Sequence, residues 1–238
     1  MKRLQKSTIL TFGGAYSNHI LATAAAGEKF GFRTIGIIRG EEPEEKNSVL
    51  KKTEQLGMQL RFISREEYRR KNTEEFLAKL KSDFGDFYLV PEGGANELGV
   101  RGCREIIPEI KMDYTHLCCC CGTGATLAGI SLSQNPDKKL IGFCVHKGGE
   151  PVEKNIRQWT AGANNFTLNN EYHFGGFAKS NDELRKFVQR FSAETEIPVE
   201  PVYTAKMFFG IFELAKKNYF PEGSIIVALH SGGIHHQL

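Results

Sequence analysis

Leu117-Cys118-Cys119-Cys120-Cys121-Gly122-Thr123-Gly124-Ala125-Thr126-Leu127-Ala128-Gly129 runs from a short apolar segment, through a turn of small residues, into a second apolar segment. The first part reads as a buried strand, the glycines as a tight turn and the last part as a helix start. Small residues let successive backbone N–H groups converge on an anion. Thr123 and Thr126 add hydroxyls, and the helix dipole favours negative charge. A phosphate cradle is the natural reading, with a tight packing turn as the alternative for this loop alone. The loop lacks the Lys-Ser/Thr ending of a nucleoside-triphosphate loop and the spacing of a dinucleotide fingerprint, which points to a small phosphorylated ligand.

The same strand, turn, helix rhythm extends along the chain. Apolar runs at Ile9–Phe12, Thr34–Ile38, Leu60–Ile63, Phe87–Val90, Leu117–Cys121, Leu140–Val145 and Ile225–Leu229 read as strands. Helical patterns fall at Asn18–Phe30, Asn47–Leu56, Thr73–Phe84, Gly99–Ile110, Ala125–Gln134, Asp182–Thr195 and Ala205–Lys217. This alternation predicts an α/β protein with mostly parallel sheets flanked by helices. Pro91-Glu92-Gly93-Gly94-Ala95-Asn96 is the best internal break. It divides a smaller domain, residues 1–98, from a larger one, residues 99–238.

Composition excludes several classes. The 238 residues are 40% hydrophobic and 25% charged, which suits a folded core rather than disorder or a fibre. The net charge is only +3, with basic residues interleaved among acidic ones, so no nucleic-acid face is expected. The opening Met1-Lys2-Arg3-Leu4-Gln5-Lys6 is basic, but the apolar run after it is too short for a signal peptide or a membrane span, so a cytoplasmic setting is expected. Adjacent residues of a strand face opposite ways, which makes the contiguous cysteines a poor disulfide framework. No second pair stands at metal-ligand spacing either, so no metal is expected.

Three further loops lie at strand ends or helix starts. Gly13-Gly14-Ala15-Tyr16-Ser17-Asn18-His19 offers polar groups beside two glycines, with Ser17 or Asn18 as a plain helix cap in the alternative reading. Glu200-Pro201-Val202-Tyr203-Thr204-Ala205-Lys206-Met207 and Leu229-His230-Ser231-Gly232-Gly233 are the others. Together with the cradle, such loops can form one pocket.

In order and spacing these motifs resemble the D-cysteine desulfhydrase and 1-aminocyclopropane-1-carboxylate deaminase family. That resemblance implies the type II pyridoxal-phosphate fold: two α/β domains, the cofactor cleft between them, and commonly a homodimer acting on a small amino acid. Residue by residue, it implies that Gly122, Thr123, Gly124, Ala125 and Thr126 hold the cofactor phosphate and that Asn18 donates to the phenolic oxygen. It sets Ser17 beside the substrate carboxylate and Cα, and Tyr203 above the ring as acid, base or activator. The deaminase branch has glutamate at the position of Thr204, facing the pyridine nitrogen, and leucine at the position of Ser231. A hydroxyl at Thr204 implies donation to an unprotonated nitrogen and a weaker electron sink, so both residues favour β-elimination over cyclopropane opening.

Departures accompany the likeness. Phe177 aligns with the family's second active-site tyrosine, and Ala125 and Ala205 stand where glycine is usual. The family's Schiff-base lysine lies in a Gly-Asn-Lys stretch upstream of the first glycine loop, whereas this sequence opens twelve residues before Gly13 and no lysine aligns with it. An N-terminally truncated lyase, its larger domain lacking the first segment, is therefore the leading expectation. A non-catalytic domain binding pyridoxal phosphate or another small phosphate is the alternative, and a nucleotide-binding α/β protein a third.

Overall fold

The computed structural model describes residues 6–233, so the basic opening read at residues 1–5 lies outside it. The chain forms two compact units, Met1–Gly94 and Ala95–Leu238, which divide inside the Pro91–Asn96 segment.

The first unit contains β1 (Thr8–Gly14), α1 (Asn18–Phe30), β2 (Arg33–Arg39), α2 (Ser48–Gln55), β3 (Met58–Ile63), α3 (Arg65–Arg69), α4 (Glu74–Phe84) and β4 (Tyr88–Val90). Its sheet has the order β3-β2-β1-β4, with every strand pair parallel. β1 and β2 are buried along nearly their whole length, as a strand covered by helices on both faces must be. Leu10, Phe12, Ile35 and Ile37 pack against Tyr68 and Phe76 on one side. On the other side Ile20 and Ala24 of α1 meet Ile38, Leu50 and Met58.

The second unit contains α5 (Glu97–Cys103), α6 (Ile106–Glu109), β5 (His116–Cys121), α7 (Ala125–Ser131), β6 (Lys139–Cys144), α8 (Glu150–Trp159), β7 (Thr167–Asn169), α9 (Asp182–Thr195), α10 (Thr204–Lys216) and β8 (Ile226–Leu229). Its sheet is also parallel, in the order β7-β6-β5-β8. The cysteine run shows the alternation of a buried strand plainly. Cys118 and Cys120 enter the core under α9 and α10, and Cys119 and Cys121 the one under α7 and α8. Burial pushes the Cys118 and Cys120 thiols up, so they act as small neutral packing groups.

Every strand expected from the sequence is present, and among the described residues four elements are added, one of them a single 3₁₀ turn at Glu92–Gly94. α3 carries a capping box in which Ser64 Oγ accepts the Glu67 amide at 3.1 Å and Glu67 reaches back to the Ser64 amide. α8 begins with Pro151 in its first turn, and β7 is a three-residue edge strand. The helix expected over residues 99–110 is broken into α5 and α6, because Pro108 lacks the amide that a continuous helix would donate to Arg104.

Candidate functional site

In a parallel sheet, loops that follow neighbouring strands emerge on the same side. β5 and β8 are paired, with Cys119 opposite Leu229, so the loop after β5 and the loop after β8 share one end of the sheet. The first is Gly122–Gly124, leading into α7, and the second is His230–Gly233.

The turn after β5 is held open by its own geometry. Gly124 has φ +92°, a left-handed conformation, and a Cβ there would stand 2.6 Å from Ile156 Cγ1 of α8, so only glycine is accommodated. Among the described residues, the amides of Thr123, Gly124, Ala125, Thr126 and Leu127 donate to no carbonyl or side chain, and the first bond of the helix ladder runs from Ala128 to the Gly124 carbonyl. Thr123 and Thr126 are half-buried, and the Cys103 thiol of α5 lies 3.9 Å from Thr126 Oγ1.

Tyr203 closes one side of it. Its hydroxyl accepts the Gly122 amide at 3.0 Å and donates to the Cys120 carbonyl at 3.2 Å. A Cβ on Gly122 would fill the space beside the phenol, 3.4 Å from its ring. Burial pushes this phenol well above its usual 10, so it stays a neutral hydroxyl over the working pH range.

One carboxylate organises the start of α10, and the sequence reading gave it no role. Glu200 is fully buried. Its Oε2 accepts the Tyr203 amide at 2.8 Å, and its Oε1 accepts the Thr204 amide at 2.7 Å and the Thr204 hydroxyl at 3.2 Å. Tyr203, at the cap position, makes no side-chain cap bond, so Glu200 serves the orphan amides in its place. Burial pushes the Glu200 carboxyl up to about 7, against the pull of those amides. The signal available in the sequence was an acidic residue four positions ahead of Thr204, at the mouth of a helix.

The strand-end loop closes over this carboxylate. Gly233 has φ +90°, and a Cβ on it would lie 2.6 Å from Glu200 Cγ. His230 Nε2 lies 2.8 Å from the Pro198 carbonyl, and Ser231 itself is exposed. Ala125 and Ala205 are both buried, so their methyl groups are accommodated by packing. Phe177 stacks on His146 with ring centroids 5.7 Å apart. Its segment is clamped from α10 by Lys206, whose Nζ donates to the carbonyls of His173 at 3.0 Å and Gly176 at 2.7 Å. The second unit thus brings Gly122, Tyr203, Thr204, Glu200 and Gly233 together.

In the first unit, Ser17 caps α1 by accepting the Ile20 amide at 3.3 Å, which leaves its own hydrogen to donate elsewhere. Asn18 is the first residue of that helix and is half-buried. His19 was also passed over in the sequence. Thr11 Oγ1 directs its hydrogen at the Val90 carbonyl, so His19 Nε2, 2.7 Å away, must be the donor to Thr11. Burial lowers its pKa to about 4, which keeps the ring neutral.

The family model described as pyridoxal-phosphate dependent enzyme matches residues 2–232. A relative named putative 1-aminocyclopropane-1-carboxylate deaminase, from Pyrococcus furiosus, is 30% identical over 95% of this chain and 74% of its own. The bifunctional D-cysteine desulfhydrase/1-aminocyclopropane-1-carboxylate deaminase of Arabidopsis thaliana, a mitochondrial protein, is 29% identical over 95% of this chain and 64% of its own. A crystal structure of a 1-aminocyclopropane-1-carboxylate deaminase homologue superposes with a TM-score of 0.84 at 26% identity, covering 99% of this chain and 76% of that one. On a match that spans both units, the chain belongs to the pyridoxal-phosphate dependent enzymes.

Proposed function

We propose that the chain is a lyase that removes a β-substituent, such as a thiol, from a small amino acid of the D-cysteine type, with the turn after β5 holding the phosphate of pyridoxal phosphate. The observation that carries this reading is the run of amides from Thr123 to Leu127 that have no partner among the described residues. The residues present fit the phosphate: the amide donors are there, and Gly124 is a position where a Cβ would meet Ile156. Bound there, the cofactor supplies an electron sink for the charge left at Cα when its proton departs.

The chain's own groups divide the remaining work. By the family likeness Tyr203 would stand above the ring as acid, base or activator, and at rest its hydroxyl hydrogen is held by the Cys120 carbonyl. By the same likeness, Thr204 would hold the pyridine nitrogen and Ser231 would serve the ring from the strand-end loop, while Asn18 would donate to the phenolic oxygen and Ser17 would bind the substrate carboxylate. The hydroxyls at Thr204 and Ser231 favour β-elimination over cyclopropane opening. A homodimer in the cytoplasm belongs to the same proposal.

The test is product formation under saturating cofactor. D-cysteine should give sulfide and pyruvate at a higher kcat/KM than 1-aminocyclopropane-1-carboxylate gives ammonia and 2-oxobutanoate. The reverse order would contradict the choice of reaction.

A further inference from the structure

The loop after β6 lies beside the cradle. Cys144, which ends β6, pairs with Cys121, which ends β5, and the Val145 amide donates to the Cys121 carbonyl at 3.1 Å, so residues 145–149 emerge next to Gly122–Gly124. A strap, residues 173–179, packs on that loop. Phe177 is half-buried with its ring stacked on His146, and a Cβ on Gly176 would lie 3.5 Å from the Lys147 amide nitrogen. The strap's backbone is strained: Phe174, Gly175, Gly176 and Ala178 have φ of 51°, 91°, 116° and 57°, and two of these residues carry side chains. Such a segment keeps one shape only where its surroundings dictate it.

Lys206 does so from α10. Its side chain is buried, and its Nζ donates to the carbonyls of His173 at 3.0 Å and Gly176 at 2.7 Å, on either side of the two left-handed residues Phe174 and Gly175. An apolar side chain would fill this position at a lower desolvation cost, so the amine's contribution lies in those two bonds. Burial pushes its pKa down to about 8 against the pull of Glu200, yet ammonium and neutral amine both carry at least two hydrogens, and both carbonyls are served on either side of that pH. Phe174 adds an edge contact on Phe209 of the same helix, with ring centroids 5.0 Å apart. The helix that begins beside Tyr203 thus holds the strap as well.

We propose that Lys206 is a positioning residue for substrate selection: by fixing the strap it sets the Phe177 ring as a rigid apolar wall beside the cradle, so that amino acids with a small β-substituent are admitted and bulky ones are turned away. The inference rests on the proposed reading of the turn after β5 as the phosphate site, which puts the substrate at this end of the sheet. His146, stacked under the ring, keeps it from collapsing onto the loop after β6. With the strap loosened, the ring swings aside and a larger group fits. The selection is steric, since a phenylalanine ring offers the substituent no hydrogen bond, and an apolar wall of this kind discriminates by about 10–200-fold.

The experiment compares the parent with Lys206→Met, Phe177→Ala and the double variant under saturating pyridoxal phosphate. It records pyruvate release from S-methyl-D-cysteine and S-benzyl-D-cysteine, and amide hydrogen exchange of residues 173–179. The parent should favour the S-methyl compound in kcat/KM. Each single variant should shrink that preference by about tenfold or more, chiefly through a lower KM for the S-benzyl compound. Exchange across the strap should be faster in Lys206→Met by about tenfold or more. The double variant should match Phe177→Ala, because Lys206 acts through that ring. If Lys206→Met does not fold, Lys206→Gln, shorter and still a donor, carries the same two readouts. A preference unchanged in either single variant, strap exchange unchanged at position 206, or additive effects in the double variant overturns the inference and leaves the proposed reaction standing. Pyruvate from neither compound in the parent contradicts the proposed reaction, and the inference falls with it.

Discussion

The Tyr203 hydroxyl lies 3.0 Å from the Gly122 amide, so the residue that begins α10 is fastened to the first peptide of the turn after β5. The same oxygen donates to the Cys120 carbonyl, and both groups would lose their partner in Tyr203→Phe. Leaving them unpaired should cost about 1–3 kcal/mol of stability. Loss of a positioned proton donor should lower turnover by about 10²–10⁴-fold. Urea unfolding and sulfide release measured on the same preparation separate the two. A variant that loses stability but keeps full turnover would reduce Tyr203 to a structural tie.

Glu200 should make stability fall as pH rises. Its folded pKa, about 7, is raised above the unfolded value, so its contribution is complete below about pH 4.5 and lost as pH rises through 7. The shift corresponds to roughly 3 kcal/mol. Because glutamine does not titrate, the stability of Glu200→Gln relative to the parent should improve by about that amount between pH 4.5 and 8. Chemical denaturation across the range checks this, and a pH-independent difference would contradict it.

His19 works in the opposite sense. Its folded pKa, about 4, lies below the unfolded 6.5, so the stability it contributes is present above 6.5 and lost as pH falls towards 4. The loss should approach about 3 kcal/mol. His19→Gln keeps a donor for Thr11 Oγ1 and should flatten this limb of the profile without changing the limb above pH 6.5.

Gly124→Ala should be costly for two reasons that act together. The left-handed φ of +92° strains any L side chain, and the new methyl meets Ile156 Cγ1 at 2.6 Å. A loss of about 2–4 kcal/mol is expected from backbone strain and overpacking combined. Removing the wall in Gly124→Ala/Ile156→Ala should recover part of the overpacking, and additive losses in the double variant would contradict the contact.

Much of the fold was legible because parallel strands covered on both faces are continuous apolar runs. Thr34–Ile38 and Leu117–Cys121 could be read directly for that reason. β7 was not, since three half-exposed residues at a sheet edge carry no periodicity. The break at Pro108 was lost within the helical pattern over 99–110, and the Ser64–Glu67 capping box stood as a local signal in a stretch where no helix was read. Of the site, the glycine turn and Tyr203 stand out as motifs. Glu200 does not, because its importance lies in what it accepts from Thr204 and Tyr203, and hydrogen-bond direction leaves no mark in residue order.

The central claim, that the turn from Gly122 to Thr126 holds the cofactor phosphate, is tested most directly by binding. Thr126→Glu places a carboxylate in the first turn of α7, where the helix dipole tolerates it, so the fold should survive while phosphate is repelled. Equilibrium dialysis of pyridoxal phosphate and of pyridoxal, with the parent and with Thr126→Glu, gives four affinities. The account predicts that the parent binds pyridoxal phosphate at least about tenfold more tightly than pyridoxal, and that Thr126→Glu removes this preference, as loss of a helix-terminus anion site should. Equal affinities of the parent for the two compounds, or a preference unchanged in Thr126→Glu, would contradict it.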